Sequence, residues 1–179
     1  MAKITCRAAH KSDAAAIAAI HVASWRDAYR SIFEPDFLAG PVEEDRFSLW
    51  TKRLSDPPPN LVVKVAIGSD HRAVGFVAAY QDQDPWWGSM VDNLHVVPGV
   101  RGRGIGETLL RAVARHLEAQ GARGGLHLGV FELNDAGLRF YQRLGGQVAE
   151  RLASRIPAAG GKTVLRVHWP VLARLSQSE

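Results

Sequence analysis

One segment limits the possible folds more than any other, the run NLHVVPGVRGRGIGETLL at residues 93–110. Residues 89–97 read as a strand, and Pro98, with no N–H to give a ladder, ends it. From 104 to 120 the period changes. Ile105, Leu109, Val113 and Leu117 recur at every fourth position with Leu110 beside them, and Gly121 stands where a helix stops. Between strand and helix lies Arg101-Gly102-Arg103-Gly104-Ile105-Gly106. A strand that feeds a glycine turn opening straight into a helix offers first-turn N–H groups without intrahelical acceptors, at the positive end of the helix dipole. Glycines let that backbone approach a ligand closely. Such a turn binds phosphate, so the amides of residues 101–106, with Thr108 beside them, are the expected anion cradle. Arg101 and Arg103 add charge that pairs with phosphate oxygens.

Two well-known phosphate loops do not fit. A dinucleotide fingerprint needs glycine or alanine at position 107, where Glu107 stands, and it normally opens a chain. A nucleoside-triphosphate loop needs Gly-Lys-Ser/Thr, which is absent. A glycine-rich corner with no ligand is the bland alternative; otherwise this is a pyrophosphate loop of another kind.

The rest of the chain supplies a frame. Residues 3–9 alternate as a strand, and 12–30 read as a helix capped by Ser12 or Asp13, with Ile17, Ile20, Ala23 and Ser24 at helical spacing. The chain turns around Pro35, Gly40 and Pro41. A helix at 42–54 follows, stopped by Pro57-Pro58-Pro59. Leu61–Ile67 and Val74–Tyr80 form a hairpin through Gly68-Ser69-Asp70-His71, and a polar loop at 81–88 leads to the strand at 89–97. After the long helix come a strand at 126–131, a short helix at 134–144, and strands at 147–153 and 163–169. The order βααβββαβαββ predicts an α/β (α+β) layer arrangement. The 179 residues suit one domain over 1–179, with a core of about 3–169 and a short C-terminal tail.

Composition removes several classes. A formal net charge of +4 mildly favours anionic ligands without demanding nucleic acid. The arginines are dispersed and interrupted by Glu107, Glu118 and Glu150, without the aromatic–basic interleaving of RNA binders, so no nucleic-acid partner is expected. Cys6 alone permits no intrachain disulfide and no multi-thiolate metal site; we expect no metal, and a reducing, cytoplasmic compartment. No apolar run reaches the roughly 18 residues that span a bilayer, and Ala14 to Ile20 reads as a helix face, so no membrane partner is expected.

Pro98-x-x-Arg101-Gly102-x-Gly104-Ile105-Gly106 resembles the acyl-CoA signature of the GNAT N-acetyltransferase superfamily, Gln/Arg-x-x-Gly-x-Gly/Ala. Asn134-x-Ala136 and then Phe140-Tyr141-x-x-Leu144-Gly145 resemble a second motif of that superfamily, on the element where it belongs. The likeness covers roughly residues 3–169. One departure is Gly146-Gln147, where many relatives carry an aromatic residue after the Leu-Gly pair. The resemblance implies a mixed, mostly antiparallel central sheet of six to seven strands flanked by about four helices. It also implies acetyl transfer from acetyl-CoA to a small-molecule or peptide amine; a CoA-binding sensor without turnover is the alternative. Relatives often pair as homodimers, and the C-terminal strands could serve such an interface.

That reaction sets requirements. A donor must face the thioester carbonyl oxygen as the amine attacks. The resemblance implies a backbone amide bared by a strand bulge, near Leu94, His95, Val96 and Val97. The amine must be neutral, which costs a lysine-like group about 4–5 kcal/mol at pH 7. Asp92, on the strand entering the loop, is the expected proton acceptor, acting through a water because its side chain is short; a solvated or capping aspartate is the plain alternative. His95 is titratable too, though better read as a packed side chain. Tyr141 is the expected proton donor to the departing thiolate, an uphill transfer of about 2 kcal/mol between ordinary pKa values. Phe140 and Leu144 share the core stripe of their helix, with Tyr141 at its edge. Asn134 and Ala136 are expected against the pantetheine arm, with Asn134 able to cap the helix as well.

The acceptor is less legible. Trp25, Tyr29, Phe33, Trp86 and Trp87 are aromatics that could stack on a cationic amine, Trp86 and Trp87 beside Asp82 and Asp84. Trp25 and Tyr29, four residues apart, also suit a core.

Overall fold

Seven strands form one mixed sheet in a computed structural model that describes residues 4–177. In chain order the elements are β1 (Thr5–Ala8), α1 (Ala14–Ala28), α2 (Pro35–Ala39), α3 (Pro41–Ser55), β2 (Leu61–Ile67), β3 (Ala73–Asp84) and β4 (Gly88–Val96). Then follow α4 (Ile105–Ala119), β5 (Leu126–Phe131), α5 (Asp135–Arg143), β6 (Gln147–Ala153), β7 (Thr163–Trp169) and α6 (Ala173–Ser176). The strand order is β1-β2-β3-β4-β5-β7-β6, antiparallel throughout except between β4 and β5. Lys3, which opened the expected first strand, lies outside the described residues.

The one parallel junction shapes the molecule. β4 and β5 pair only at Ser89/Leu126, Met90/His127 and Val91/Leu128. Beyond Val91 they part. The register of β4 on β3 slips there: Val91 faces Ala79 and Asn93 faces Ala78, which leaves Asp92 as the extra residue of a bulge. A bulge bends its strand and raises the local twist, turning the rest of β4 away from β5. The junction itself needs glycine. Gly88 has φ +80, and a Cβ on it would lie 2.3 Å from the Gly125 carbonyl oxygen.

Helices cover both faces. The stripe of α4 buries Ile105, Leu109, Leu110, Val113 and Leu117 against Leu126, Leu128, Val167 and Trp169, each large side chain contributing about 1.5–3 kcal/mol. On the other face α1 and α3 bury Ile17, Ile20 and Trp50 against Val65 and Phe76. Trp25, Ile32, Phe33, Val42 and Phe131 form a third cluster where the chain between α1 and α3 meets β5. No helix among the described residues is long and apolar enough to cross a membrane.

Four expectations are corrected. The stretch 81–88 is mostly strand, because β3 runs to Asp84 and turns within three residues into β4. Its side chains are polar, but ladder bonds come from the backbone, so composition concealed the hairpin. The turn around Pro35 holds a short helix, α2, with proline in its first turn. The C-terminal tail belongs to the core: Leu172 and Leu175 are buried under α4, and Arg111 donates to the Leu175 carbonyl at 2.6 Å. The described residues hold six α-helices where about four were expected.

Candidate active site

The glycine loop adopts the conformation its sequence suggests. Gly102 and Gly104 both have φ +78, and Gly104 sits at the N-cap of α4. A Cβ at either would touch nothing within 4 Å, so glycine is required there by the backbone angle alone. Among the described residues, none of the N–H groups of residues 102–107 meets a protein acceptor; the first satisfied amide is Thr108 N–H, bonded to the Gly104 carbonyl at 2.9 Å. Six consecutive orphan amides at a helix N-terminus fit a diphosphate, and they are the residues that would hold the one in coenzyme A. Other expected contributors are already engaged. The Thr108 hydroxyl donates to the Gly104 carbonyl at 3.1 Å, and Arg101 N–H closes the turn onto Pro98 O at 3.3 Å. The Arg101 guanidinium reaches back to α1, bonding Asp27, the Ser24 hydroxyl at 3.1 Å and the Val96 carbonyl at 3.3 Å. Arg103 is exposed and lines no cavity described, and Ile105 is buried in the core.

A cavity of about 350 Å³ runs from this loop into the opening between β4 and β5. Leu94 and Val96 line it. Strand alternation turns their N–H groups toward the opening, because Val97 N–H is bonded to Val74 O at 2.9 Å on the β3 side. The expected bulge is therefore real but sits at Asp92, upstream of the stretch 94–97, and Val97 has no amide to offer. Among the described residues, Leu94 carries the first N–H past the junction that alternation turns away from β3 and that faces no paired strand.

α5 closes the far wall. Asn134 caps it, accepting the Gly137 N–H at 3.0 Å. A Cβ on Gly137 would stand 2.6 Å from Asn134 Nδ2, so this glycine, which carried no motif of its own, makes the cap possible. Ala136, Gly137, Phe140 and Tyr141 face the cavity. The core stripe of α5 is Leu138, Tyr141 and Leu144 rather than Phe140 and Leu144. Phe140 instead rests over Gly106, where a Cβ would lie 3.3 Å from the ring. Burial, with Tyr29 near by, pushes the Tyr141 phenol well above its ordinary pKa, so it holds its proton at neutral pH.

On the α1 side of the sheet lies a second cavity of about 740 Å³. Trp25, Tyr29, Trp87, Asp92 and Asn93 line it, and Tyr29 and His95 line both cavities. The bulge lets Asp92 and Asn93, successive residues, face the same space. Asp92 Oδ2 accepts from Arg53 at 2.7 Å and from the Asn93 amide, while Oδ1 has no partner among the described residues. Trp25 is both wall and core, packed on Phe33 at 4.6 Å with Arg46 over its ring. Phe33 is core only. Trp87 stacks under the Arg166 guanidinium at 5.0 Å. Trp86 does not join the site: it is 87% exposed at the hairpin tip, where Asp84 accepts the N–H of both Trp86 and Trp87.

The wall between the cavities is buried and uncharged. His95 Nδ1 lies 2.9 Å from the Ser24 hydroxyl, and its ring stacks on His21 at 4.4 Å. His21 Nδ1 accepts from Trp50 Nε1 at 3.0 Å. Burial, reinforced by Arg101 and Arg46, lowers the His95 pKa to about 3, so it is neutral and a poor base. Burial raises the Tyr29 phenol to about 12, against smaller opposing effects of Arg101 and Asn134. Ser24, Arg53, Asn93 and Gly137 carried no sequence signal, since Ser24 and Arg53 act through partners distant in the chain, Asn93 through the strand bulge and Gly137 through a cap.

Comparisons with known proteins bear on the family and the fold. A family model described as "Acetyltransferase (GNAT) family" matches residues 22–146. Streptothricin acetyltransferase of Streptomyces lavendulae is 35% identical over 82 residues, 45% of this chain and 42% of the relative. The matched segment thus spans about two fifths of that relative's length. The coenzyme A complex of PaiA N-acetyltransferase from Thermoplasma acidophilum superposes with a TM-score of 0.71 at 17% identity, covering 93% of this chain and 99% of the other. A variant of the spermidine N-acetyltransferase of Vibrio cholerae gives 0.70 at 17% identity, covering 98% of each chain. At such identities the structural likeness concerns the fold.

Proposed function

The chain belongs to the acetyltransferase (GNAT) family of acyl-transferring enzymes, and on that premise we propose that it moves an acetyl group from acetyl-CoA to a primary amine by direct attack, with both substrates bound at once. One observation carries the reading: the cavity that opens from the orphan amides of residues 102–107 meets the aromatic and acidic cavity at Tyr29 and His95, beside the free N–H of Leu94. A bound acetyl-CoA supplies an activated thioester, and the chain's own groups do the rest. The α4 N-terminus holds the diphosphate, while Asn134, Ala136 and Gly137 flank the pantetheine arm. The Leu94 N–H faces the thioester carbonyl oxygen, with Val96 N–H next along the same edge.

Asp92 receives the ammonium proton of the acceptor through Oδ1 or a water on it, while Arg53 and Asn93 fix the carboxylate from the other oxygen. Tyr141 keeps its proton until a thiolate forms beside it. Its raised pKa makes the transfer harder than the roughly 2 kcal/mol of ordinary values, but the same burial destabilises the thiolate, so donation accompanies departure of the sulfur. Relatives named for streptothricin and spermidine support a small-molecule acceptor, and the single cysteine suits a reducing, cytoplasmic setting.

The test is thiol release from acetyl-CoA with a panel of amines, alongside calorimetric titration with coenzyme A. Turnover with at least one amine is expected. Tight binding without transfer to any amine would establish a CoA-binding module instead, and no binding would remove the reading altogether.

A further inference from the structure

Five charged side chains line the acceptor cavity: Asp84, Asp92, Glu150, Arg155 and Arg166. Most are spent within the protein. Arg166 donates to Glu150 Oε2 and to His127 Nδ1, both at 2.8 Å, so this acid and base answer each other. Asp84 closes its turn by accepting two backbone N–H groups. Asp92 has one oxygen committed and one open. Arg155 has no hydrogen-bond or ion-pair partner among the described residues. What remains for a ligand is one oxygen on each of Asp84, Asp92 and Glu150, of which Asp92 alone lies on the β4 bulge two residues before Leu94, and one guanidinium, that of Arg155.

The guanidinium is carried on a fixed strap. Ser154 N–H bonds the Lys162 carbonyl at 2.9 Å, Ser154 Oγ accepts from Ile156 N–H at 3.1 Å, and Ala159 is fully buried. Glu34 N–H ties the strap to the start of α2 through the Ala158 carbonyl at 3.0 Å. The backbone on either side of Arg155 is therefore anchored, although its side chain is exposed at the cavity rim.

Resting on the acetyl transfer proposed above, we infer that the acceptor is a zwitterion, an amine that also bears a carboxylate, with its ammonium group at Asp92 and its carboxylate at Arg155. A planar guanidinium matches a carboxylate with two parallel hydrogen bonds, which an ester or amide cannot reproduce. A diamine whose far end reaches Arg155 would bring a second positive charge against the guanidinium and is disfavoured there. The cavity, at about 740 Å³, admits a molecule of amino-acid to dipeptide size.

Matched acceptors test this directly. Thiol release is measured with a series of ω-amino acids of increasing length, their methyl esters, and diamines of equal length. For at least one length, kcat/KM for the amino acid should exceed that for its ester by about tenfold or more, with the diamine no better than the ester. Arg155→Gln should bring the acid-to-ester ratio within about threefold of unity, and Arg155→Lys should restore part of it. Esters or diamines preferred at every length, or a ratio indifferent to Arg155→Gln, would overturn the zwitterion while leaving amine acetylation in place. If no amine is acetylated, both readings fall together.

Discussion

The two cavities that meet at Tyr29 and His95 are made of different material. The proposed donor side is mostly backbone: orphan amides at the start of α4, two N–H groups on β4 that point away from β3, and the capped start of α5. Nearly all of it comes from two short stretches, 94–106 and 134–141. The acceptor side is mostly side chains, gathered from α1, β3, β4, β5, β6, β7 and the connections between them. A backbone site tolerates change in most side chains but not in the residues that set its dihedral angles. A side-chain site can be rebuilt one residue at a time, which suits relatives named for acceptors as different as streptothricin and spermidine.

The comparison can be broken or sharpened in several ways, the largest at the shared wall. His95 is neutral in the folded protein, with a pKa of about 3 against 6.5 when unfolded. As pH falls below 6.5 the unfolded chain takes up the extra proton, so stability present above that value is lost progressively toward pH 3. His95 alone contributes a slope of about 1.4 kcal/mol per pH unit, and His21, shifted the same way, adds to it. Urea midpoints at pH 7, 6 and 5 should fall in that order; equal midpoints would show that the wall ionises freely.

Tyr141→Phe comes next. It should lower kcat by at least about tenfold while KM for acetyl-CoA stays within about twofold, because only the proton is removed. An unchanged kcat would strip Tyr141 of the donor role. Gly104→Ala should weaken coenzyme A binding by at least about fivefold, since a Cβ in the left-handed region costs about 1–2 kcal/mol, and leave the acceptor KM alone. If the acceptor KM moved as much, the division between the cavities would be wrong. Trp87→Leu should do the converse, raising acceptor KM by about threefold with coenzyme A binding intact. Trp86→Ala should alter stability by less than about 0.5 kcal/mol in thermal melts and leave turnover unaffected, because its ring stands in solvent.

The same division governs how much could be read before the structure. Strands 61–67, 126–131, 147–153 and 163–169 were placed to the residue, and the helix of the glycine loop to within one residue at each end. Those elements announce themselves through local periodicity. The hairpin through residues 81–88 did not, because polar side chains on an exposed ribbon look the same in strand and loop. The bulge was expected from resemblance and found upstream of its expected place, since a register slip depends on the partner strand as well as on β4. Trp86 and Trp87 are adjacent and chemically alike, yet the turn fixed by Asp84 sends one into solvent and the other onto Arg166.

What the sequence determined by itself is the proposed donor site. Glycine at 102 and 104 permits the left-handed angles, Pro98 ends the strand, and a strong amphipathic run begins a helix whose first amides have nowhere to bond; each cause acts within a few residues. Only the tertiary structure decided which oxygen of Asp92 stays open, that Arg53 holds the other, and that Arg155 at the rim has no partner among the described residues. Those outcomes depend on segments 39 to 63 positions from Asp92 arriving at one place, which the order of strands in a sheet dictates and no local pattern encodes.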